Sequence, residues 1–184
     1  MFPHRTLHYS LFTLLFSLTL LSCGPKPAAV SAPAEATDDD TSRYYPTLAV
    51  GAEAPDFTLA DTLGVALTLS TLRGTPVVLD FYASWCGDCR AELPAVKALQ
   101  AELAPQGYQF VGVSFDHDGD AWRSLLRTAQ LPWPQVSNGI RWKENPVSTA
   151  YGLHWIPTLV LVDADGRIAA TALTAEELKE KIAH

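Results

Sequence analysis

The stretch Val78-Leu79-Asp80-Phe81-Tyr82-Ala83-Ser84-Trp85-Cys86-Gly87-Asp88-Cys89-Arg90 decides the fold of this 184-residue chain. Its first six residues belong to a nearly continuous apolar, β-prone run that begins at Pro76. Such a run is typical of a central strand covered on both faces. From Cys86 onward, apolar residues recur at steps of three and four, as in an amphipathic helix: Leu93, Val96, Leu99 and Leu103. The sequence therefore predicts a buried strand that leads directly into a helix at a Cys-x-x-Cys pair.

The two cysteines of this pair, Cys86 and Cys89, have the spacing and the predicted position that thiol–disulfide exchange requires. Disulfide exchange requires a thiolate that attacks and a second thiol near enough to resolve the mixed disulfide. Cys86 would lie at the helix start, where free backbone N–H groups and the helix dipole favour an anion and lower a thiol pKa. Cys89 would face the same side, one turn further in and deeper. A disulfide between residues only three positions apart closes a short loop and stabilises the fold little. Chemical reactivity therefore explains the pair better than a stabilising role does.

A zinc site is the alternative interpretation of the cysteine pair. Structural zinc usually takes four Cys or His ligands, often as two spaced pairs. The chain has no second Cys pair, and His117 and His154 are 37 residues apart. We therefore expect neither a metal nor another cofactor.

The rest of the domain alternates strand and helix patterns around this centre. The expected elements are an N-terminal hairpin from 51–58 and 66–70, a strand at 109–115, helices at 120–130 and 145–151, strands at 158–162 and 168–173, and a last helix. Residues 135–137 are too few to assign. Thr174 and Glu177 match the capping box that begins a helix. This order of elements predicts an α/β sandwich with a mixed sheet.

The N-terminal residues do not match a folded domain. Residues 1–22 carry Arg5 and a short apolar run that ends at small residues, as in a secretory signal peptide. The run is shorter than the ~20 residues that a spanning helix needs, although an uncleaved anchor helix is the alternative. Residues 23–46 are rich in Pro, Ala, Ser and Thr, and we expect a disordered tether. Residues 47–184 have the length of one domain.

The charge of the chain limits the partners that it can have. Its formal net charge is −7, and removal of residues 1–22 would make it one unit more negative. A protein this acidic lacks the basic residues that neutralise phosphates, so we expect no nucleic-acid partner.

The stretch from Val78 to Arg90 resembles the active-site strand, turn and helix of thioredoxin. Trp155-Ile156-Pro157-Thr158 resembles the thioredoxin loop that carries a cis-proline. The longer pattern, which includes Gly51-Ala52-Glu53-Ala54-Pro55-Asp56-Phe57-Thr58-Leu59 and Arg90-Ala91-Glu92-Leu93-Pro94, is similar to the membrane-tethered TlpA/ResA-type reductases. The resemblance implies a thioredoxin-like three-layer α/β/α sandwich with an N-terminal hairpin extension.

A second resemblance concerns the end of the leader. Leu20-Leu21-Ser22-Cys23 is similar to the bacterial lipoprotein signal, in which the cysteine becomes the lipidated N-terminus. It implies a protein of the bacterial cell envelope, anchored by lipid on Cys23 and facing the periplasm. Several acyl chains give stable anchoring, because each buried methylene contributes about 0.8 kcal/mol.

The resemblance to thioredoxin also implies roles for single residues. Cys86 would attack and Cys89 would resolve. Pro157 would be cis and would place the backbone of Ile156 against the disulfide. Asp80 matches the buried aspartate of thioredoxin, and a carboxyl buried in a strand should have a raised pKa and could take the proton of Cys89.

The surface around the sulfurs is expected to include Trp85, Gly87, Asp88 and Ile156. Trp85 would cover the sulfurs and offer an apolar surface to a partner. Asp88 departs from thioredoxin, which has proline there. Its charge opposes the thiolate of Cys86, so the sequence favours a reducing couple.

The function that the resemblance implies is reduction of disulfides in exported proteins, apocytochrome c among the candidates. A membrane thiol donor would supply the electrons. One alternative is a peroxiredoxin, since 54–59 resembles their N-terminal strand, but the Pro and Thr that they place before the cysteine are absent here. Another is a non-catalytic binding module that docks partners through Trp133, Trp142 and Trp155.

Overall fold

A seven-stranded mixed sheet organises residues 41–184, the part of the chain that this computed structural model describes. The strands are β1 (Thr58–Ala60), β2 (Ala66–Thr68), β3 (Val77–Tyr82), β4 (Gln109–Ser114), β5 (Gln135–Ser137), β6 (Thr158–Val162) and β7 (Ile168–Ala172). The helices are α1 (Gly87–Leu103), α2 (Gly119–Ala129), α3 (Pro146–Ala150) and α4 (Ala175–Ile182). The predicted signal peptide at 1–22, the lipid site at Cys23 and the tether as far as residue 40 lie outside the described residues.

The order of strands across the sheet is β2-β1-β5-β4-β3-β6-β7. The neighbours β3 and β4, and β4 and β5, are parallel, while the other pairs are antiparallel. All six residues of β3 are buried, as the continuous apolar run predicts for a strand covered on both faces. The predicted mixed sheet and N-terminal hairpin are confirmed.

Two hydrophobic cores lie on opposite faces of the sheet, because successive side chains of a strand point to opposite sides. Val78 of β3 packs with α1 and α4 through Val96, Leu99 and Leu178. Leu79 and Phe81 belong to the other core, which includes Trp122 of α2. This arrangement confirms the three-layer α/β/α sandwich.

Residues 41–46, which the sequence analysis assigns to the tether, include two tyrosines that contact the domain. Residues Thr41–Tyr44 form a 3₁₀ turn, and Tyr45 donates a hydrogen bond from its hydroxyl to Glu177 Oε1 at 2.6 Å. The ring of Tyr44 lies 4.9 Å from that of Trp155. Composition averaged over 23–46 hides these two tyrosines, whose rings are half-buried against the domain.

The hairpin is shorter than the sequence predicts, and the short β5 is a strand. Residues 51–57 are irregular apart from a single bridge between Glu53 and Arg167. The carboxylate of Asp56 holds this segment, since it accepts hydrogen bonds from the Ser70 backbone at 2.9 Å and hydroxyl at 2.6 Å. Residues 135–137, left unassigned by their length, pair in parallel with β4.

The last helix begins after Thr174 as predicted, but the return bond from Glu177 goes to Leu173, one residue before the cap. The Thr174 hydroxyl accepts the N–H of Glu177 at 3.2 Å, while Glu177 Oε2 accepts the N–H of Leu173 at 2.8 Å. Within residues 41–184, no helix is both long enough and apolar enough to cross a membrane.

Candidate active site

The cysteine pair lies where β3 passes into α1. Cys86 is the N-cap residue of α1, and its Sγ accepts the N–H of Cys89 at 3.1 Å. The two cysteines form a disulfide, with their Cα atoms 5.3 Å apart. Cys86 is 8% exposed and Cys89 is 2% exposed, so the second cysteine lies deeper, as predicted. An N–H group that already points at Cys86 Sγ would stabilise a thiolate there once the disulfide is reduced.

The loop before β6 lies against Cys86. The Ile156–Pro157 peptide bond is cis, as the resemblance to thioredoxin implies. The carbonyl oxygen of Ile156 lies 3.5 Å from Cys86 Sγ. The Thr158 hydroxyl donates to the Trp155 carbonyl at 2.8 Å and holds the loop in place. The cis bond and the position of Ile156 beside Cys86 are therefore those that the resemblance to thioredoxin implies.

Asp80 lies in the middle of β3 and is 1% exposed, so it is not a solvated strand residue. Burial, and after it the negative charge of Glu92, raise the pKa of Asp80 from 3.8 to about 7. Its Oδ2 has no hydrogen-bond partner among the described residues. A carboxyl with this pKa can hold or release a proton near neutral pH.

Glu92 is a neighbour of the site to which the sequence analysis gave no role. It appeared there only as one residue of the motif from Arg90 to Pro94. It lies on α1, and its Oε1 accepts the backbone N–H of Ala175 at 2.7 Å. Glu92 thus caps the first residue of α4 and also places a second negative charge near Asp80.

Asp116 is a buried residue that sequence reasoning missed. It is 3% exposed, and its carboxylate accepts the N–H of Ser84 at 2.9 Å, the hydroxyl of Ser84 at 2.6 Å and the hydroxyl of Ser114 at 2.7 Å. On the opposite side, Arg90 Nη1 donates to the Ser84 carbonyl at 2.7 Å. The backbone of Ser84, in the segment between β3 and Cys86, is therefore held by hydrogen bonds at both its N–H and its carbonyl. The polar residues Ser114 and Asp116, at the end of β4 and two positions after it, were the available sequence signal.

The rim of the site is aromatic. Trp85 is 50% exposed and Trp155 is 37% exposed, and Gly87 and Asp88 are also on the surface. Ile156 was expected on this surface too, but it is 3% exposed and packs in the core. Trp142 is half-buried. Trp133, in contrast, is buried and packs 5.7 Å from Phe110, so it belongs to the core and cannot dock a partner. Among residues 41–184, no group of three or more His, Cys, Asp or Glu side chains is placed to hold a metal ion.

Comparison with solved structures agrees with this geometry. A putative thiol:disulfide interchange protein DsbE from Chlorobium tepidum superposes with a TM-score of 0.67 at 29% identity, over 74% of this chain and 97% of that one. A secreted Mycobacterium tuberculosis disulfide oxidoreductase, homologous to E. coli DsbE, superposes with a TM-score of 0.58 at 26% identity, over 69% and 94% of the two chains.

Sequence comparison identifies the family. Residues 50–171 match the model of the AhpC/TSA family. The thiol-disulfide oxidoreductase ResA of Geobacillus thermodenitrificans is 30% identical over 138 residues, which cover 73% of this chain and 77% of the relative. ResA of Bacillus subtilis is 28% identical over 122 residues, 66% of each chain. With its paired cysteines at the start of α1, the chain belongs to the AhpC/TSA family and is a thioredoxin-fold thiol–disulfide oxidoreductase similar to ResA.

Proposed function

We propose that this oxidoreductase reduces disulfides in exported proteins while lipid on Cys23 holds it at the periplasmic face of a bacterial membrane. The observation that carries the reductase role is the position of Cys86, at the start of α1 and 3.5 Å from the Ile156 carbonyl, with Cys89 behind it. A substrate strand that pairs with the backbone beside Ile156 would bring its own disulfide to the more exposed sulfur.

In the proposed reaction, the Cys86 thiolate attacks one sulfur of a substrate disulfide and forms a mixed disulfide with it. The other substrate sulfur leaves as a thiolate and takes up a proton. Cys89 then loses its proton and attacks Cys86 Sγ, which forms the Cys86–Cys89 disulfide and releases the second substrate thiol. The substrate gains two electrons and two protons. A membrane protein with a dithiol returns the pair to the reduced state by the reverse exchange and is itself oxidised.

Asp80 is the proposed acceptor of the Cys89 proton. Cys89 is 2% exposed, so bulk water has little access to its thiol. Asp80 is buried on the strand that leads to the pair, and its pKa of about 7 suits a group that takes a proton near neutral pH. Pro157 is proposed to shape the loop that receives the substrate.

Asp88 supports the reducing direction. It is exposed and lies in the first turn of α1, between the two cysteines. Its negative charge opposes the thiolate of Cys86 and so destabilises the reduced pair. Because solvent screens an exposed charge, the effect of Asp88 on the stability of the reduced pair is small.

The proposed location rests on residues 1–23 and on similarity. The short basic and apolar leader ending at Cys23 fits an exported lipoprotein, and the similar M. tuberculosis oxidoreductase is described as secreted. Exported polypeptides whose cysteines must be reduced, with apocytochrome c as one candidate, are the proposed substrates.

Two measurements test the proposed function. The reduction potential of the Cys86–Cys89 couple in the full chain, equilibrated with glutathione or dithiothreitol, should lie near the ~−270 mV of thioredoxin. A value near the ~−120 mV of a strong oxidant would contradict the reductase role. In cells, a Cys89→Ser variant should accumulate mixed disulfides with exported proteins through Cys86, and the Cys86→Ser/Cys89→Ser double variant should not. Rapid consumption of peroxide that needs Cys86 but not Cys89 would instead favour a peroxidase.

A further inference from the structure

A groove adjoins Trp85, the residue that precedes Cys86. It has a volume of about 480 Å³ and is lined by Trp85, His117, Arg141, Trp142, Lys143 and Glu144. A second opening of about 450 Å³ shares Trp142 and Lys143 with it and continues to Leu153 and His154. Residues of the 3₁₀ turn Trp142–Glu144 thus line both openings.

The linings of the two openings include residues close in the chain to those at the attacking sulfur. Trp85, which lines the groove, directly precedes Cys86. His154, which lines the second opening, lies two residues before Ile156, whose carbonyl oxygen is 3.5 Å from Cys86 Sγ. A polypeptide segment that presents a disulfide to Cys86 would therefore extend over Trp85 toward the groove.

The cations of the groove are not neutralised by the protein. Arg141 and Lys143 are exposed, and the side chain of neither forms an ion pair or a hydrogen bond with a residue in 41–184. The nearest feature recorded for Lys143 is the Trp142 ring, whose centroid is 5.9 Å from Nζ. Other cations of this acidic chain are engaged, for example Arg73 with Glu53. Glu144 also lines the groove but pairs with neither cation.

We propose that the groove binds the polypeptide segment beside the target cysteine, and that Arg141 and Lys143 select segments with acidic side chains near that cysteine. This inference rests on the proposed reduction of protein disulfides and adds a substrate class to it. The rings of Trp85 and Trp142 supply rigid apolar contact area, and the two free cations supply charge complementarity. Because the cations do not touch the sulfurs, they act on substrate capture and hence on KM more than on kcat.

The test uses two synthetic peptides, each with one intramolecular disulfide, that differ only in two residues beside the first cysteine. One peptide has Glu at both positions and the other has Lys. The full chain, kept reduced by dithiothreitol, should reduce the acidic peptide with a kcat/KM about three- to tenfold higher, since each exposed charge pair contributes a small factor. The preference should shrink to less than about twofold when the salt concentration rises from about 0.05 to about 0.5 M.

Matched variants assign the preference to the groove. Arg141→Gln/Lys143→Gln should lose the preference through KM and keep the kcat of wild type. Arg127→Gln is the control, because Arg127 is an exposed cation without a partner in the described residues and does not line the groove. Equal rates for the two peptides, or a preference that survives in the double variant, would overturn the proposal.

A small uncharged disulfide separates this proposal from the proposed function. If hydroxyethyl disulfide and both peptides are reduced without preference, the groove loses its role and the reductase role stands. If the chain reduces none of the three, both proposals are wrong.

Discussion

Asp116 holds Ser84 with both of its carboxylate oxygens: Oδ2 accepts the Ser84 N–H at 2.9 Å and Oδ1 accepts the Ser84 hydroxyl at 2.6 Å. The two residues are 32 positions apart in the chain and meet because β3 and β4 are parallel neighbours whose ends lie side by side. Ser84 stands two residues before Cys86, so Asp116 positions the segment that carries the attacking sulfur without touching it.

Asp116→Asn should therefore weaken both the fold and the site. Loss of hydrogen bonds to a buried charged acceptor costs about 1.5–3 kcal/mol in the free energy of unfolding. We expect kcat/KM for disulfide reduction to fall about tenfold, because a released segment misplaces the sulfur. Urea unfolding of the oxidised full chain measures the first effect, and the rate of reduction of a peptide disulfide measures the second. The pH dependence of Cys86 alkylation by iodoacetamide in the reduced chain reports on the surroundings of the sulfur. If the stability changes but the pH profile of alkylation does not, Asp116 stabilises the fold and does not position Cys86. Asp165→Asn, in an exposed turn, should change neither.

The buried Asp80 should make stability depend on pH. Its pKa is raised from 3.8 to about 7 in the folded chain, so the folded state binds the proton more tightly than the unfolded state does. Stability contributed by the protonated carboxyl is complete below about pH 4 and is lost as pH rises toward about 7. Removal of this ionisation in Asp80→Asn should stabilise the oxidised chain above pH 7 by an amount of order 4 kcal/mol, given about 1.36 kcal/mol per pKa unit.

Denaturant unfolding of the oxidised proteins at about pH 4 and about pH 8 checks this expectation, since the disulfide removes both thiols from the titration. The difference between wild type and Asp80→Asn should be larger at the higher pH. A difference that does not change with pH would mean that Asp80 is ionised throughout the range.

The same substitution should slow the chemistry even though it stabilises the fold. Asp80→Asn cannot accept the proton of Cys89, so resolution of the mixed disulfide should slow by about 10²-fold, the lower end of what general-base catalysis contributes. Attack by Cys86 should be unchanged. Single-turnover quenched-flow experiments with a peptide disulfide separate the two steps. Normal resolution in this variant would show that another group, such as Glu92, takes the proton.

Asp88→Asn tests the influence of charge on the redox couple. Without the negative charge in the first turn of α1, the thiolate of Cys86 is more favoured and the reduction potential should become less negative. An exposed charge contributes about 0.2–1 kcal/mol, and about 1.4 kcal/mol corresponds to about 30 mV, so we expect a shift of about 5–20 mV. Equilibration with glutathione at low salt measures it. A shift in the negative direction would contradict the role given to Asp88, and Asp165→Asn again serves as the control.

Tyr45→Phe tests whether the segment before residue 47 stabilises the domain. The Tyr45 hydroxyl donates to Glu177 at 2.6 Å, and burial together with this carboxylate raises the pKa of Tyr45 to about 12. Loss of this bond should lower the free energy of unfolding by about 1 kcal/mol. Tyr108→Phe is the matched control, since the Tyr108 hydroxyl bonds to no residue in 41–184. Equal stability of the two variants would mean that the Tyr45 hydroxyl does not stabilise the domain.

The local features of this protein could be predicted from its sequence because each depends on residues within a few positions of one another. The apolar run of β3, the helix that follows it and the cysteines in the first turn are defined by periodicity alone. The capping of α4 by Thr174 is local in the same way. The thioredoxin-like pattern added the loop at Pro157, which no local rule connects to Cys86.

Tertiary structure alone decided which distant groups meet. Periodicity indicates that a side chain is buried but not which residues it contacts. Only packing could therefore place Trp133 in the core, and Trp142 in one groove with Trp85. The contacts of Asp116 with Ser84 and of Glu92 with Ala175 join positions 32 and 83 residues apart. Such pairings follow from strand order and helix docking, which minimise buried unpaired polar groups over the whole domain and not within any one segment.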